Sequence, residues 1–164
     1  MKKNLFIIAT AALLLLASFA LADDGLGVLP TATYAPDSGE ARAVAVVLAE
    51  RPAAVINYIL QDFDDGRPEW NVFFTDGADL GEAEVNAETY ELRKIKSYEK
   101  TADMLTADKA VAQLIAAKGA LTITELELDR DDGTLWYEGD AELDGRRYEF
   151  EMRANGKIVE WERD

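Results

Sequence analysis

The sequence contains one acidic pattern twice, as DFDDG at positions 62–66 and as DRDDG at positions 129–133, and the two copies lie 67 positions apart. Self-similarity at a fixed period is the signature of a structural unit that occurs more than once. We therefore expect two tandem repeats, over residues 37–100 and 103–164. Since a unit of this length buries little apolar surface by itself, the two repeats should pack on each other or extend one sheet side by side.

The residues around the two acidic segments also correspond in type at this offset. Apolar positions of the first copy match apolar positions of the second: Val44 with Val111, Leu48 with Ile115, Ile56 with Ile123 and Ile59 with Leu126. One inserted residue then aligns Trp70 with Trp136. A correspondence of this length favours a tandem duplication over a chance similarity of two turns.

Each copy begins with a helical pattern. In the first copy, Asp37 and Glu40 have the spacing of a capping box, and Pro52 stops the helix. In the second copy, Thr106 is the expected N-cap, and Gly119 is placed as a C-terminal glycine. One helix is therefore predicted at the start of each repeat.

About four short strands are predicted after each helix. In the second copy, Tyr148, Phe150 and Met152 alternate with charged residues, which is typical of a strand with one covered and one wet face. Asp-Gly at 144–145 and Asn-Gly at 155–156 favour tight hairpin turns, which need positive φ angles. The sequence thus predicts an α+β fold of two tandem modules, each with one helix laid across an antiparallel sheet of about four strands.

The first 22 residues have the character of a secretory signal peptide. A basic start precedes an apolar run, and Ala20 and Ala22 form an A-x-A site before an acidic residue. An uncleaved membrane anchor is the alternative, since the run is long enough to span a bilayer. We expect cleavage near Ala22 and an extended linker over 23–36. The mature protein would then be periplasmic or secreted, and would meet the membrane only through the signal segment before cleavage.

The composition excludes several kinds of chemistry. The chain has neither cysteine nor histidine, so it can form no disulfide, thiolate metal site or Ser-His-Asp triad. Its net charge of −15 repels nucleic acid and anionic lipid and attracts cations or a basic protein surface. A carboxylate-pair glycosidase is the remaining enzyme hypothesis, but such a site needs a cleft that a small domain rarely offers. We expect no enzymatic activity and no cofactor.

The segment DDGTLWYEGDAELDGRRYEFEMRANGKIVEWE, at positions 131–162, resembles a PepSY domain. It has an acidic-glycine turn, an aromatic strand, a second Asp-Gly turn and a strand of alternating character. The closing segment is MRANGKIV at 152–159 in this copy and VNAETYEL at 85–92 in the other. The resemblance implies a fold similar to cystatin-like and β-lactamase-inhibitor-like modules. It also implies a non-enzymatic binding or inhibitory module that restrains a peptidase, with no catalytic residues to carry over.

The acidic segments themselves have two interpretations. Asp129, Asp131 and Asp132 offer carboxylate oxygens, the ligands that calcium prefers. An EF-hand loop is excluded because Gly66 and Gly133 fall one position too early. The favoured interpretation is a β-turn with Asp-Gly at its tip, and a looser cation site at the three aspartates is the alternative.

Three aromatic residues are candidates for a partner-binding surface, namely Trp70, Trp136 and Tyr137. Core and cross-strand packing is the alternative role for each of them. Because Trp136 and Tyr137 are adjacent in a predicted strand, one of the two must face away from the core.

Two functions follow as hypotheses. The first is an exported, non-enzymatic PepSY-like module that binds a protein partner, with inhibition or regulation of a peptidase as the expected role. The second is a periplasmic protein that binds or senses a small ligand or a cation such as calcium. A pulldown tests the first hypothesis, and a calcium-dependent rise of the melting midpoint would support the second.

Overall fold

The computed structural model of the protein describes residues 34–64 and 66–164. The predicted signal peptide and most of the predicted linker lie outside the described residues. Those residues form two helices and eight strands, in this order: α1 (Gly39–Glu50), β1 (Val55–Asp64), β2 (Arg67–Asp76), β3 (Asp79–Asn86), β4 (Leu92–Glu99), α2 (Ala107–Lys118), β5 (Thr122–Asp131), β6 (Thr134–Leu143), β7 (Arg146–Arg153) and β8 (Ile158–Arg163).

The strands form two four-stranded sheets, in the orders β1-β2-β3-β4 and β5-β6-β7-β8. Every pair of neighbouring strands is antiparallel. The predicted α+β class is therefore confirmed, with one helix before each sheet. The two acidic segments lie at the β1–β2 and β5–β6 hairpins, as the turn interpretation predicts.

The irregularities of the two sheets repeat at the same offset as the sequence. The β1–β2 register shifts between Ile56 and Tyr58, and the β5–β6 register shifts between Ile123 and Glu125. Both members of the second pair are 67 positions beyond those of the first. Because a bulge changes the local twist and is specific to its position, its recurrence at this offset supports the duplication.

The expected equivalence of Trp70 with Trp136 is wrong. Trp70 pairs with Gln61 across the first hairpin, and Tyr137 pairs with Leu128 across the second. Both pairs differ by the same 67 positions, so the hairpin contains no insertion, and Tyr137 is the counterpart of Trp70. Both aromatic rings accordingly lie on the covered face of their sheet.

Helix α1 covers one face of the first sheet. Its N-cap is Ser38, whose Oγ accepts a hydrogen bond from the Ala41 N–H at 3.2 Å, so the expected cap at Asp37 is wrong by one residue. The helix ends at Glu50, one residue before the C-cap. Its buried side chains pack against inward residues of the sheet in one core: Ala43, Val47, Trp70, Val72, Phe74, Ala83 and Val85.

The second repeat covers the opposite face of the first sheet. Phe73 and Leu80 project from that face and are buried in the same core as Leu114 of α2 and Leu126 of β5. The first sheet is therefore covered by α1 on one face and by the second repeat over much of the other. The second sheet is covered on its inner face alone, and the charged residues that alternate along it point away from the core.

A buried carboxylate joins the two repeats. Glu82 of β3 has a side chain that is fully buried, and its Oε2 accepts a hydrogen bond from the Leu128 N–H of β5 at 2.6 Å. Lys96 Nζ lies 3.2 Å from the same oxygen and 3.9 Å from Glu127 Oε2 of β5. Burial raises the pKa of the Glu82 carboxyl from 4.5 to about 7, and the charge of Lys96 and the Leu128 N–H offset part of that rise.

We expect Glu82 to make the stability of the protein depend on pH. Because its folded-state pKa is raised, the protonated carboxyl stabilises the fold fully below pH 4.5, and this contribution is lost as the pH rises through about 7. From pH 5 to pH 8, the free energy of unfolding should fall by about 2–3 kcal/mol more in wild type than in the double variant Glu82→Gln/Lys96→Met. Urea unfolding at both pH values measures this difference.

The matched control is the variant Glu84→Gln/Lys94→Met. This neighbouring pair joins the same two strands at 2.8 Å but is more exposed, so its removal should leave the pH dependence of wild type in place. Equal pH dependence in wild type and in the Glu82→Gln/Lys96→Met protein would contradict a titrating carboxyl at the contact between the repeats.

Candidate functional site

The outer face of the second sheet carries two rows of carboxylates. The strand register places a carboxylate of each strand directly opposite one on the next strand, through all four strands. One row is Glu127, Glu138, Glu151 and Glu160, and the other is Glu125, Asp140, Glu149 and Glu162. We call these eight residues the acidic face. Like charges directly opposite each other destabilise an antiparallel sheet, so this arrangement has a cost in stability.

Few cations neutralise the acidic face. Arg147 donates a hydrogen bond from its Nη2 to Asp140 Oδ2, and the same nitrogen lies 3.9 Å from Glu125 Oε2. Glu127 is 3.9 Å from Lys96 of the first repeat. Within the described part of the chain, the remaining members form no ion pair: Glu138, Glu149, Glu151, Glu160 and Glu162.

The pKa values of the face reflect this crowding. Partial burial raises the pKa of Glu138, and the charge of Glu151 opposite adds to the rise. The charge of Glu151 is also the main cause that raises the pKa of Glu160. Burial raises the pKa of Glu125 to about 7, and its hydrogen bond with Asp140 contributes. Protonation, or a cation, would therefore relieve the repulsion.

A shallow pocket of about 220 Å³ lies in the middle of the acidic face. Asp140 lines it with a side chain that is 8% exposed, and its Oδ1 has no hydrogen-bond donor among the described residues. Gly139 also lines the pocket. A Cβ at this position would lie 2.1 Å from the backbone oxygen of Glu125, and the φ of +156° disfavours residues other than glycine. This oxygen is itself buried, so the acceptors that a ligand in the pocket can reach belong to the surrounding glutamates, which include Glu138 and Glu149.

The equivalent face of the first repeat differs in charge and in environment. Where Glu151 opposes Glu160 in the second sheet, Glu84 opposes Lys94 in the first, and Nζ lies 2.8 Å from Oε1. Likewise, Lys96 stands at the position of Glu162. That face of the first sheet is covered by the second repeat. The acidic face therefore occupies the position that serves as an interface in the first repeat.

The predicted aromatic residues lie in different places. Trp136 is on the outer face beside the two rows, where the guanidinium carbon of Arg153 is 5.4 Å from its ring centroid. Tyr137 is 1% exposed, and its hydroxyl donates a hydrogen bond to the Leu105 carbonyl oxygen at 2.9 Å. Trp70 is 9% exposed in the first core. Of the three, Trp136 alone is not buried.

The predicted cation ligands do not converge. Asp129, Asp131 and Asp132 are all exposed, and Asp132 lies in the turn with a φ of 46°. Among residues 34–64 and 66–164, no group of three or more acidic side chains is arranged to hold a metal ion. Asp129 and Asp131 belong to β5 and Asp132 to the following turn, which agrees with the β-turn interpretation.

The fold defines a class of protein, a tandem pair of helix-on-sheet modules of the α+β type. Residues 39–95 match the family model of PepSY, the peptidase propeptide and YPEB domain. This match confirms the PepSY resemblance for residues 39–95, which lie in the first repeat. The second repeat has the same order of elements.

Two solved structures align with much of the chain. The CD1622 protein of Clostridium difficile 630 is 15% identical, with a TM-score of 0.42, over 74% of this chain and 90% of that one. YpmB from Bacillus subtilis is 21% identical, with a TM-score of 0.38, over 78% and 99% of the two chains. No curated protein sequence matches the chain. In the described residues, neither helix has the length and apolar character needed to cross a membrane.

We expect the neutralisation of one glutamate of the acidic face to stabilise the protein. Glu151→Gln removes repulsion with Glu138 and Glu160, so the melting midpoint should rise by about 1–3 °C at low ionic strength. The rise should shrink in 0.5 M NaCl because salt screens exposed charges. The equivalent variant Glu84→Gln removes an attraction to Lys94 and should give no rise. Thermal melts of both variants test this, and an unchanged or lower midpoint for Glu151→Gln would contradict it.

Proposed function

We propose that the protein is an exported, non-enzymatic module that binds a protein with a basic surface through the acidic face, and that this binding restrains a peptidase. The observation that carries the proposal is the two rows of directly opposed carboxylates on an uncovered sheet face. The repulsion between these carboxylates lowers the stability of the free protein. A partner that supplies cations would remove this repulsion, which gives the arrangement a purpose.

The geometry of the face suits a flat basic surface. Strands in a sheet are about 4.8 Å apart, and outward residues along a strand are about 6.6–6.8 Å apart, so the two rows present a regular grid of acceptors. Arginine and lysine side chains of a partner can reach several carboxylates at once. The net charge of −15 would also attract a basic partner over a distance and increase its association rate.

The peptidase role rests on the family and on the leader sequence. The matching family model is described as a peptidase propeptide domain. The predicted signal peptide would place the protein outside the cytoplasm, where secreted peptidases act. Because the chain lacks cysteine and histidine, a regulatory role through binding is favoured over catalysis.

Two variants with the same net charge separate a specific acidic face from a general charge effect. Glu138→Gln/Glu151→Gln/Glu160→Gln neutralises three members of one row. The control neutralises three exposed glutamates of the first repeat, Glu50→Gln/Glu88→Gln/Glu99→Gln. We expect the first variant to lose at least tenfold in affinity for a basic partner, since desolvated charge pairs at an interface are worth more than long-range attraction. The control should stay within about twofold of wild type.

The measurement uses immobilised wild-type and variant proteins and the secreted and envelope proteins of the source cells. Peptidase activity in the fraction is measured with casein before and after addition of each soluble protein. Wild type and control should retain a basic protein at low salt and lower the casein hydrolysis, and the acidic-face variant should do neither. Equal behaviour of the two variants, or hydrolysis that wild type does not reduce, would contradict the proposal.

A further inference from the structure

Phe63 is an exposed aromatic residue at the border of the acidic face. It lies near the end of β1, within the first acidic segment, and its exposed fraction is 66%. Three large hydrophobic side chains are exposed among the described residues, namely Val55, Phe63 and Val159. Phe63 is the aromatic member of this set. An exposed aromatic ring offers a large apolar contact area to a partner.

The turn itself does not require this phenylalanine. The counterpart of Phe63 in the second acidic segment is Arg130, and both segments form hairpins between strands of the same length. Phe63 is paired with Pro68 across the hairpin, and Arg130 is paired with Leu135 at the matching position. Because a charged residue serves at the equivalent place, the exposed ring is not explained by the local fold.

Two grooves connect Phe63 with the acidic face. One has a volume of about 450 Å³, and its walls include Phe63, Thr124, Glu125 and Arg147. The other, of about 190 Å³, is lined by Phe63 together with Glu125 and several charged residues: Asp62, Glu69, Glu84, Lys94 and Glu127. Glu125 also lines the pocket beside Asp140. The aromatic ring and the carboxylates therefore belong to one continuous surface, made by both repeats.

We infer that this surface binds an extended basic segment of the partner that carries an apolar side chain next to its lysines or arginines, and that the apolar side chain packs on Phe63 in the groove between the repeats. This inference rests on the proposed function. The charges on the groove walls are mostly negative, which favours basic residues on either side of the apolar one. The acidic face then governs the attraction, and Phe63 prolongs the complex once it has formed.

Two synthetic peptides test the inference directly. They are acetylated and amidated pentapeptides with equal charge, KKFKK and KKSKK, which differ in the central side chain. Titration calorimetry or NMR titration with wild-type protein should give an affinity that is about 3–10 times higher for the phenylalanine peptide. In Phe63→Ser this preference should disappear, while the affinity for the serine peptide stays as in wild type. Phe63→Leu should keep most of the preference.

The controls separate this inference from the proposed function. Val55→Ser removes an equally exposed apolar side chain at the other end of β1 and should keep the preference. Glu138→Gln/Glu151→Gln/Glu160→Gln should weaken both peptides by the same factor. The inferred role of Phe63 is wrong if wild type and Phe63→Ser prefer the phenylalanine peptide equally, or if wild type binds both peptides with the same affinity. The proposed function stands in either case. If neither peptide binds wild type at low salt, both fail. Thermal melts verify that each variant is folded.

Discussion

The second repeat covers the face of the first sheet that lies opposite α1, and the rest of the structure depends on that contact. Without it, Phe73 and Leu80 would face water, because α1 covers the opposite side of the same sheet. Apolar burial supplies the driving force but has no direction. The buried Glu82 adds direction, since one of its oxygens accepts a hydrogen bond from Leu128 of the other repeat and pairs with Lys96. This contact fixes how the repeats are placed.

The same contact explains why equivalent positions differ in charge between the repeats. At the covered face, Glu82 is opposite Lys96, and at the open face the corresponding pair is Glu149 and Glu162. Two like charges at a covered face would each lose hydration with no compensating attraction, which is very unfavourable. On an open face, water and salt reduce the same repulsion to a modest cost. The acidic face is therefore compatible with the second repeat and not with the first.

The sequence predicts much of the fold because local signals agree with it. The repeat, the turns and the alternation in the strands led to the α+β class, although the helix begins after Ser38 and the counterpart of Trp70 is Tyr137. The sequence alone does not reveal the acidic face. Its signal was present as Glu-x-Glu at 149–151 and 160–162, but alternation does not reveal which residues of separate strands are opposite each other. Nor does it reveal which outer face the other repeat covers.

In the proposed function, the tandem arrangement of the repeats contributes to partner binding as well as to the stability of the fold. Phe63 comes from the first repeat, whereas Glu125 and the carboxylate rows come from the second, and they meet only because the repeats are packed together. The second repeat alone would present the carboxylate rows without Phe63, and the first repeat alone would present Phe63 without those rows. A duplicated module can thus gain a composite surface through few substitutions, such as phenylalanine where the other copy has Arg130. The cost in stability falls on the open face, and the covered face retains its pairs of an acidic and a basic residue.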